Sequence, residues 1–308
     1  MSSGMNVDKE YIAASIDIGT THTKSGFACF KRKSNQIYHS EVITNIEESV
    51  ILFSEERKFM AFGKKAVELY IKSNKPETLC FIRNFNMKMN LPTHQDIRLW
   101  RAADQRGRGY VFLMDVYAET IGFIKSRVEE MAKESFPGVT SFRWVLTFPE
   151  TWEPVAKEFL KEAALRAGIP QSRLYLEKEH VSAVKWQQMC QYSDQIEKSK
   201  CLLVDLGGGS TKIYACTEKE TFVETIADSG GITILKAFEN CLDEVFSRQV
   251  LESYKLKERA DYFKLFGSFM RKSHDLKLVP PSNMPPVVTQ VDKGDEDDNK
   301  DNNDNEKR

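Results

Sequence analysis

The chain has six cysteines but no Cys-x-x-Cys pair, and no histidine stands at ligand spacing from any of them, so neither a disulfide framework nor a zinc site is signalled. Cys29, Cys80, Cys190, Cys201, Cys216 and Cys241 read as reduced thiols, with Cys201 and Cys216 as small core residues. A run of about 18 uninterrupted apolar residues is also missing, which argues against a membrane-spanning helix. The opening MSSGMNVDKEY has no basic stretch followed by an apolar one, so a signal peptide is not expected and a cytoplasmic location, with the nucleus left open, is. An excess of charge of either sign is missing as well. The formal net charge is −1, and residues 292–308 hold eight acidic side chains against four basic ones, so the remainder is only slightly basic. That balance speaks against nucleic-acid binding as the main task.

What the sequence does contain is enough for a core. Hydrophobic residues make up 41% and charged residues 29% of 308, the balance of a soluble globular protein of one domain or two lobes. From Val279 the text becomes VPPSNMPPVVTQVDKGDEDDNKDNNDNEKR, which cannot repay its ordering entropy by burial. Four stretches are expected: a disordered N-terminus (1–10), a first lobe (11–198), a partial second lobe (199–278) and a disordered acidic tail (279–308).

Hydrophobic periodicity alternates between strand and helix. Ala13 to Ile18 and Gly26 to Phe30 read as a hairpin, with further strands over Gln36 to Thr44, Ser49 to Phe53 and Lys58 to Phe62. Helices are expected over Gly63 to Ile71 and over Asp115 to Ala132, where Tyr117, Ile121, Ile124, Val128 and Met131 recur at helical spacing. Phe142 to Phe148 is a buried-type strand, and Pro154 opens a helix carrying Val155, Phe159, Leu160 and Ala163 inward, ended by Gly168. Then come a strand to Leu176, a helix over His180 to Met189, and a second hairpin from Cys201 to Leu206 and Lys212 to Cys216. Two hairpins with similar glycine turns point to a duplicated α/β fold.

Those turns carry the chemistry. In Asp205-Leu206-Gly207-Gly208-Gly209-Ser210-Thr211 three glycines let backbone N–H groups converge on a phosphate, Ser210 and Thr211 add hydroxyls, and Asp205 can hold a metal through water. Asp17-Ile18-Gly19-Thr20-Thr21-His22 repeats that pattern on an independent hairpin. Two such loops facing each other would clamp a polyphosphate from both sides.

The pair IDIGTT and VDLGGGST resembles the two phosphate motifs of the superfamily that includes actin, sugar kinases and the 70 kDa heat shock proteins. RWVLTFPETWEPVAKEFLKEAALRAGI, from Arg143 to Ile169, is similar to the strand-Pro-helix segment of the heat shock 70 kDa protein 12 family, as is Ser229-Gly230-Gly231 followed by Phe238-Glu239-Asn240-Cys241-Leu242. The resemblance runs from about Tyr11 to Leu278. It implies an actin-like ATPase fold of duplicated ribonuclease-H-like lobes, the second incomplete, binding ATP or ADP with Mg²⁺. By position it implies that Gly19, Thr20, Thr21 and His22, with Gly207 to Thr211, grip the phosphates beside Gly230 and Gly231. Asp17 and Asp205 would orient the hydrated Mg²⁺, Lys88 would reach the terminal phosphate, and Glu177 in Leu176-Glu177-Lys178-Glu179 would orient or deprotonate water.

Three departures from the family pattern bear on catalysis. Lys212 stands where a second acid is expected, Lys178 replaces the proline beside Glu177, and the first glycine hairpin reads as two residues longer than the family's. The later glycine-rich adenosine motif is absent as well. Nucleotide-phosphate binding with impaired or absent hydrolysis, in a chaperone-like or interaction role, is therefore expected. An active ATPase or phosphotransferase, and a non-catalytic scaffold or truncated product, stay open. A protein partner is expected at the incomplete second lobe, where Phe238, Leu242, Val245, Phe246, Leu251, Tyr254, Tyr262, Phe263, Leu265, Phe266 and Phe269 form apolar helical faces needing cover.

Overall fold

A computed structural model describes residues 10–33, 36–90, 96–107, 109–190, 201–216, 221–227 and 229–274. The expected disordered tail and all of the expected N-terminal stretch except Glu10 lie outside them. The chain divides into one compact unit over Met1–Phe263 and another over Lys264–Arg308.

Its central sheet runs in the order β11-β10-β1-β2-β3, with β4 also paired to β2. These are β1 (Glu10–Ile18), β2 (His22–Lys33), β3 (Gln36–His39), β4 (Ile43–Glu48), β10 (Phe142–Phe148) and β11 (Leu174–Lys178). β1, β10 and β11 are parallel neighbours, whereas β1, β2 and β3 form an antiparallel meander. Strict alternation sets the two faces of β1: Ile12, Ala14, Ile16 and Ile18 are buried, leaving Ser15 and Asp17 on the other face. The buried face packs on helices α2 (Leu113–Ser135) and α3 (Pro154–Arg166) through Trp144, Leu146, Tyr117, Ile121 and Phe159. Val155, expected to face inward, is 40% exposed, because it falls beside rather than on the stripe formed by Ala156, Phe159, Leu160 and Ala163.

The single strand expected over Gln36 to Thr44 is two strands. Ser40 breaks it: its hydroxyl oxygen accepts the Cys29 N–H at 3.0 Å while donating to the Glu41 carbonyl at 2.9 Å, so a side-chain bond replaces one of the two ladder bonds there, the Ser40 N–H still donating to the Cys29 carbonyl. A second small core lies between the sheet β6-β5-β7 and α1 (Gly63–Lys72), where β5 is Val50–Phe53, β6 Phe59–Phe62 and β7 Cys80–Arg83. Val50, Leu52, Ala66, Tyr70 and Phe81 fill it. A hairpin of β8 (Arg101–Ala103) and β9 (Tyr110–Phe112) completes this part.

The last sheet is antiparallel: β12 (Cys201–Leu206), β13 (Ser210–Cys216) and β14 (Thr221–Ala227). It repeats the order of the β1-β2-β3 meander. After it come helices α5 (Gly231–Phe246), α6 (Arg248–Lys257) and α7 (Arg259–His274). Their apolar residues divide: Leu251 and Tyr262 are buried and Phe263 packs against Tyr70 and Phe81, whereas Val245 and Phe246 are exposed. Arg259 donates to the carbonyls of Ile71 and Ser73, satisfying acceptors that the end of α1 leaves open. Among the described residues no helix is long and apolar enough to cross a membrane.

Candidate functional site

The two glycine turns close identically. The Gly19 N–H donates to the His22 carbonyl at 3.1 Å, and the Gly207 N–H donates to the Ser210 carbonyl at 3.0 Å. A Cβ on either first glycine would meet that same carbonyl, at 2.5 Å and 2.9 Å respectively, so the tight turn excludes a side chain. The register carries the match further. Asp17 lies opposite Lys24 across the first hairpin, and Asp205 opposite Lys212 across the second, so both read Asp-x-Gly-x-x-x-Thr-Lys. The first turn is short, since β2 already begins at His22.

Each turn is braced by a serine. Ser49 donates its hydroxyl to the Gly19 carbonyl at 2.7 Å and its N–H to the Thr21 carbonyl at 2.8 Å, and it shares a buried hydrogen bond with the Thr23 hydroxyl. The Ser229 hydroxyl oxygen accepts the Thr211 N–H at 2.9 Å, and the Thr211 hydroxyl donates to the Ser229 carbonyl. The Thr211 hydroxyl is thus committed to the fold. A trans peptide points its N–H away from its carbonyl. Turning the Gly19 carbonyl onto Ser49 therefore aims the Thr20 N–H outward. Among the described residues the amides of Thr20, Thr21, Gly208 and Gly209 donate to no backbone carbonyl.

The two turns also face each other. A Cβ on Gly208 would sit 2.6 Å from the Thr21 hydroxyl, and one on Gly209 3.0 Å from that of Thr20. Behind the second turn, α5 begins against the loop: the Gly231 and Ile232 N–H groups donate to the carbonyls of Gly207 and Gly208, and a Cβ on Gly230 would lie 2.5 Å from the Gly208 carbonyl oxygen. Gly230 and Gly231 therefore support the loop, with the Gly231 N–H already used. The His22 ring is exposed, its Nδ1 at 3.1 Å from the Thr21 hydroxyl.

Beside the turns lies a cavity of about 410 Å³ whose lining includes Asp17, Thr147, Glu179, His180, Asp205 and Tyr214. β1 and β10 deliver Asp17 and Thr147 on the face opposite the core, and the Thr147 hydroxyl donates to Asp17 Oδ1 at 2.8 Å. Glu177 occupies the same face one strand over, paired in register with Thr147. Its carboxylate is engaged by Lys185 Nζ at 2.5 Å and by the Lys178 N–H at 3.1 Å. Burial acts to raise the Glu177 pKa, but these contacts outweigh it and hold the group below its ordinary range.

Glu179, at the first turn of α4 (Glu179–Cys190), reaches the cavity and takes the Lys212 ammonium at 2.8 Å. Burial pushes its pKa up, Asp17 and Asp205 add to that, and Lys212 opposes it. His180 stacks on Tyr214 with ring centroids 4.6 Å apart, and its buried Nδ1 has no hydrogen-bond partner among the described residues. Burial lowers its pKa. Lys88 lies on the 3-10 turn Phe85–Asn90, and its side chain is outside what the structure describes. On the same turn Asn86 donates to the Ile18 carbonyl at 2.8 Å and accepts from the Tyr117 hydroxyl, fixing the end of β1 just before Gly19.

The site therefore gathers Asp17, Asp205, both turns and Lys212. Sequence reasoning passed over Thr147, His180 and Tyr214, which carry no local motif. It quoted Glu179 within Leu176-Glu177-Lys178-Glu179 but gave the role to its neighbour. The expected hydrated Mg²⁺ is a poor fit to this set. Among the described residues no three His, Cys, Asp or Glu side chains group to hold a metal, Asp17 is engaged by Thr147, and an ammonium only 8% exposed already stands among the carboxylates.

No family model matches the chain. Mouse heat shock 70 kDa protein 12A is 22% identical over 333 residues, covering 84% of this chain and 49% of that protein. Human heat shock 70 kDa protein 12B is 25% identical over 170 residues, covering 51% of this chain and 24% of that protein. The chain thus spans about half the length of the 12A protein. Among solved structures, MreB5 of Spiroplasma citri bound to ADP matches with a TM-score of 0.51 at 18% identity, over 80% of this chain and 61% of that one. On these comparisons the chain is similar to the heat shock 70 kDa protein 12 proteins, and its mixed α/β architecture has the actin-like ATPase fold.

Proposed function

We propose that the paired glycine turns bind the phosphates of a nucleotide, ATP or ADP, and that hydrolysis of bound ATP is very slow. One observation carries the binding half: two turns of identical closure face each other, and among the described residues the amides of Thr20, Thr21, Gly208 and Gly209 donate to no backbone carbonyl. Each N–H given to a phosphate oxygen is a charge-assisted bond of about 1.5–3 kcal/mol. The similarity to a protein solved with ADP bound supports the same reading.

The hydrolysis half rests on the carboxylates. Orienting an attacking water needs a carboxylate free to accept its proton within hydrogen-bond reach. Glu177 is engaged by Lys185 and Glu179 by Lys212, and Asp17 accepts from Thr147. The roles of Asp17, Asp205 and His22 are to border the phosphates, with Gly230 and Gly231 holding the second turn. Mg²⁺ is left out of this reading because of Lys212.

Isothermal calorimetry with ADP, ATP and tripolyphosphate tests the first half, and heat from all three is expected. Gly208→Val should abolish it, since its branched side chain would enter the space of Thr21. No heat with any ligand at millimolar concentration would overturn the reading. For the second half, phosphate release from ATP should stay near background. Turnover at a rate typical of kinases that is lost in Glu177→Gln would restore the enzyme reading.

A further inference from the structure

We propose that the Lys212 ammonium takes the place of a divalent cation in this cleft, so that polyphosphate binding requires no metal. The inference rests on the phosphate-binding reading above. It starts from a contrast between equivalent positions. Lys24 and Lys212 each face the aspartate that precedes a glycine turn, yet Lys24 is exposed and Lys212 is buried. A buried ammonium is costly unless it is paired, and Lys212 is paired: Glu179 Oε2 lies 2.8 Å from Nζ. Opposed residues of an antiparallel pair project to the same face, so Lys212 and Asp205 share the side that also presents Leu203 and Tyr214 to the cavity.

An ammonium has three donors on a compact point charge. Among the described residues Glu179 is the one partner within bonding distance, which leaves donors for a ligand oxygen. Asp17 and Asp205 both act on the Glu179 carboxylate, and the ammonium that pairs with Glu179 brings a positive charge to that cluster of three acids. Unlike a metal it cannot be chelated away.

The test is calorimetric titration of the full chain with tripolyphosphate and with ADP, once in excess EDTA and once in millimolar Mg²⁺. The dissociation constants are expected to agree within about threefold between the two conditions. In EDTA, Lys212→Gln should bind about tenfold or more weakly, the loss of one charge-assisted bond. Lys212→Asp, with a fourth carboxylate in the cleft, should bind only when Mg²⁺ is present. Circular dichroism of each variant checks that it folds, and the unmodified chain decides the question without them. Binding by the unmodified chain that needs Mg²⁺ overturns this inference while leaving the phosphate grip standing. Lys212→Gln binding as well as the parent in EDTA also overturns it, reducing Lys212 to the structural partner of Glu179. Absence of binding in both conditions removes the phosphate grip and this inference together.

Discussion

The two glycine hairpins share a turn but not a setting. Behind the first, β1 is covered on its apolar face, with Ile12, Ala14 and Ile16 at 2% exposure or less. Behind the second, Leu202, Val204 and Leu206 of β12 are between 48% and 78% exposed. The turn geometry is the same because it is fixed locally, by a glycine whose N–H meets the carbonyl three residues on. Burial is not local, and it differs because α2 and α3 cover the first sheet while no described helix covers that face of β12. A glycine turn of this kind thus needs its own backbone and one serine brace more than it needs a deep core.

The widest separation between the two halves should be in stability. Trp144, 1% exposed beside β1, anchors the covered sheet, and Trp144→Ala should cost about 3–5 kcal/mol through lost burial and the cavity left behind. Leu206→Ala, at a position 78% exposed, should change stability by less than about 0.5 kcal/mol. Urea unfolding followed by circular dichroism measures both. Comparable losses would mean that the face of β12 is covered in solution, and the contrast drawn above would be wrong.

The glycines come next. In Gly19→Ala the new Cβ meets the carbonyl that closes its own turn, so the turn must open, at about 1–3 kcal/mol. In Gly208→Ala it meets Oγ1, Cγ2 and Cβ of Thr21, and relief comes from the two loops parting slightly rather than from opening a turn, at about 1 kcal/mol. Stability should therefore fall more in the first variant. Phosphate binding should fall in both, because in the second the displaced Thr21 and the methyl group fill the gap between the turns. Unfolding and calorimetry on the same two samples separate these effects. A larger stability loss in Gly208→Ala would show that the facing turns cannot yield.

What could be read from the sequence follows the same division between local and distant causes. Asp-x-Gly followed by small and hydroxyl residues is a local pattern, and both turns were legible from it, as were the long periodic helix over α2 and the strand β10. β7, β8 and β9, three or four residues each, are too short to show a period, and they went unread. Ser40 split an expected strand by a side-chain bond to Cys29, a partner eleven residues away. The choice between Glu177 and Glu179 turned on where β11 gives way to α4 and on Lys185 one helix face along, neither of which the motif itself displays.

Those two glutamates support the smallest and most specific contrast. They stand two residues apart and shift in opposite directions, so their contributions to stability fall on opposite limbs of the pH curve. The folded pKa of Glu179 is raised above its ordinary value of 4.5 by burial, and a raised group contributes stability that is present below that value and lost as pH rises through the folded pKa. The folded pKa of Glu177 is lowered, because the contacts from Lys185 and the Lys178 N–H outweigh burial; its contribution is present above 4.5 and lost as pH falls through the folded pKa. Glu179→Gln should therefore flatten a decline in stability on the rising side of 4.5, and Glu177→Gln should flatten one on the acid side. The Glu177 effect should be the smaller, since its partner Lys185 is 60% exposed and such pairs contribute about 0–1 kcal/mol. Urea midpoints for the parent and both variants, taken from about pH 3 to pH 8, resolve the two limbs. An acid-side change in Glu179→Gln with none in Glu177→Gln would reverse the assignment and make Glu177 the carboxylate that faces the cavity.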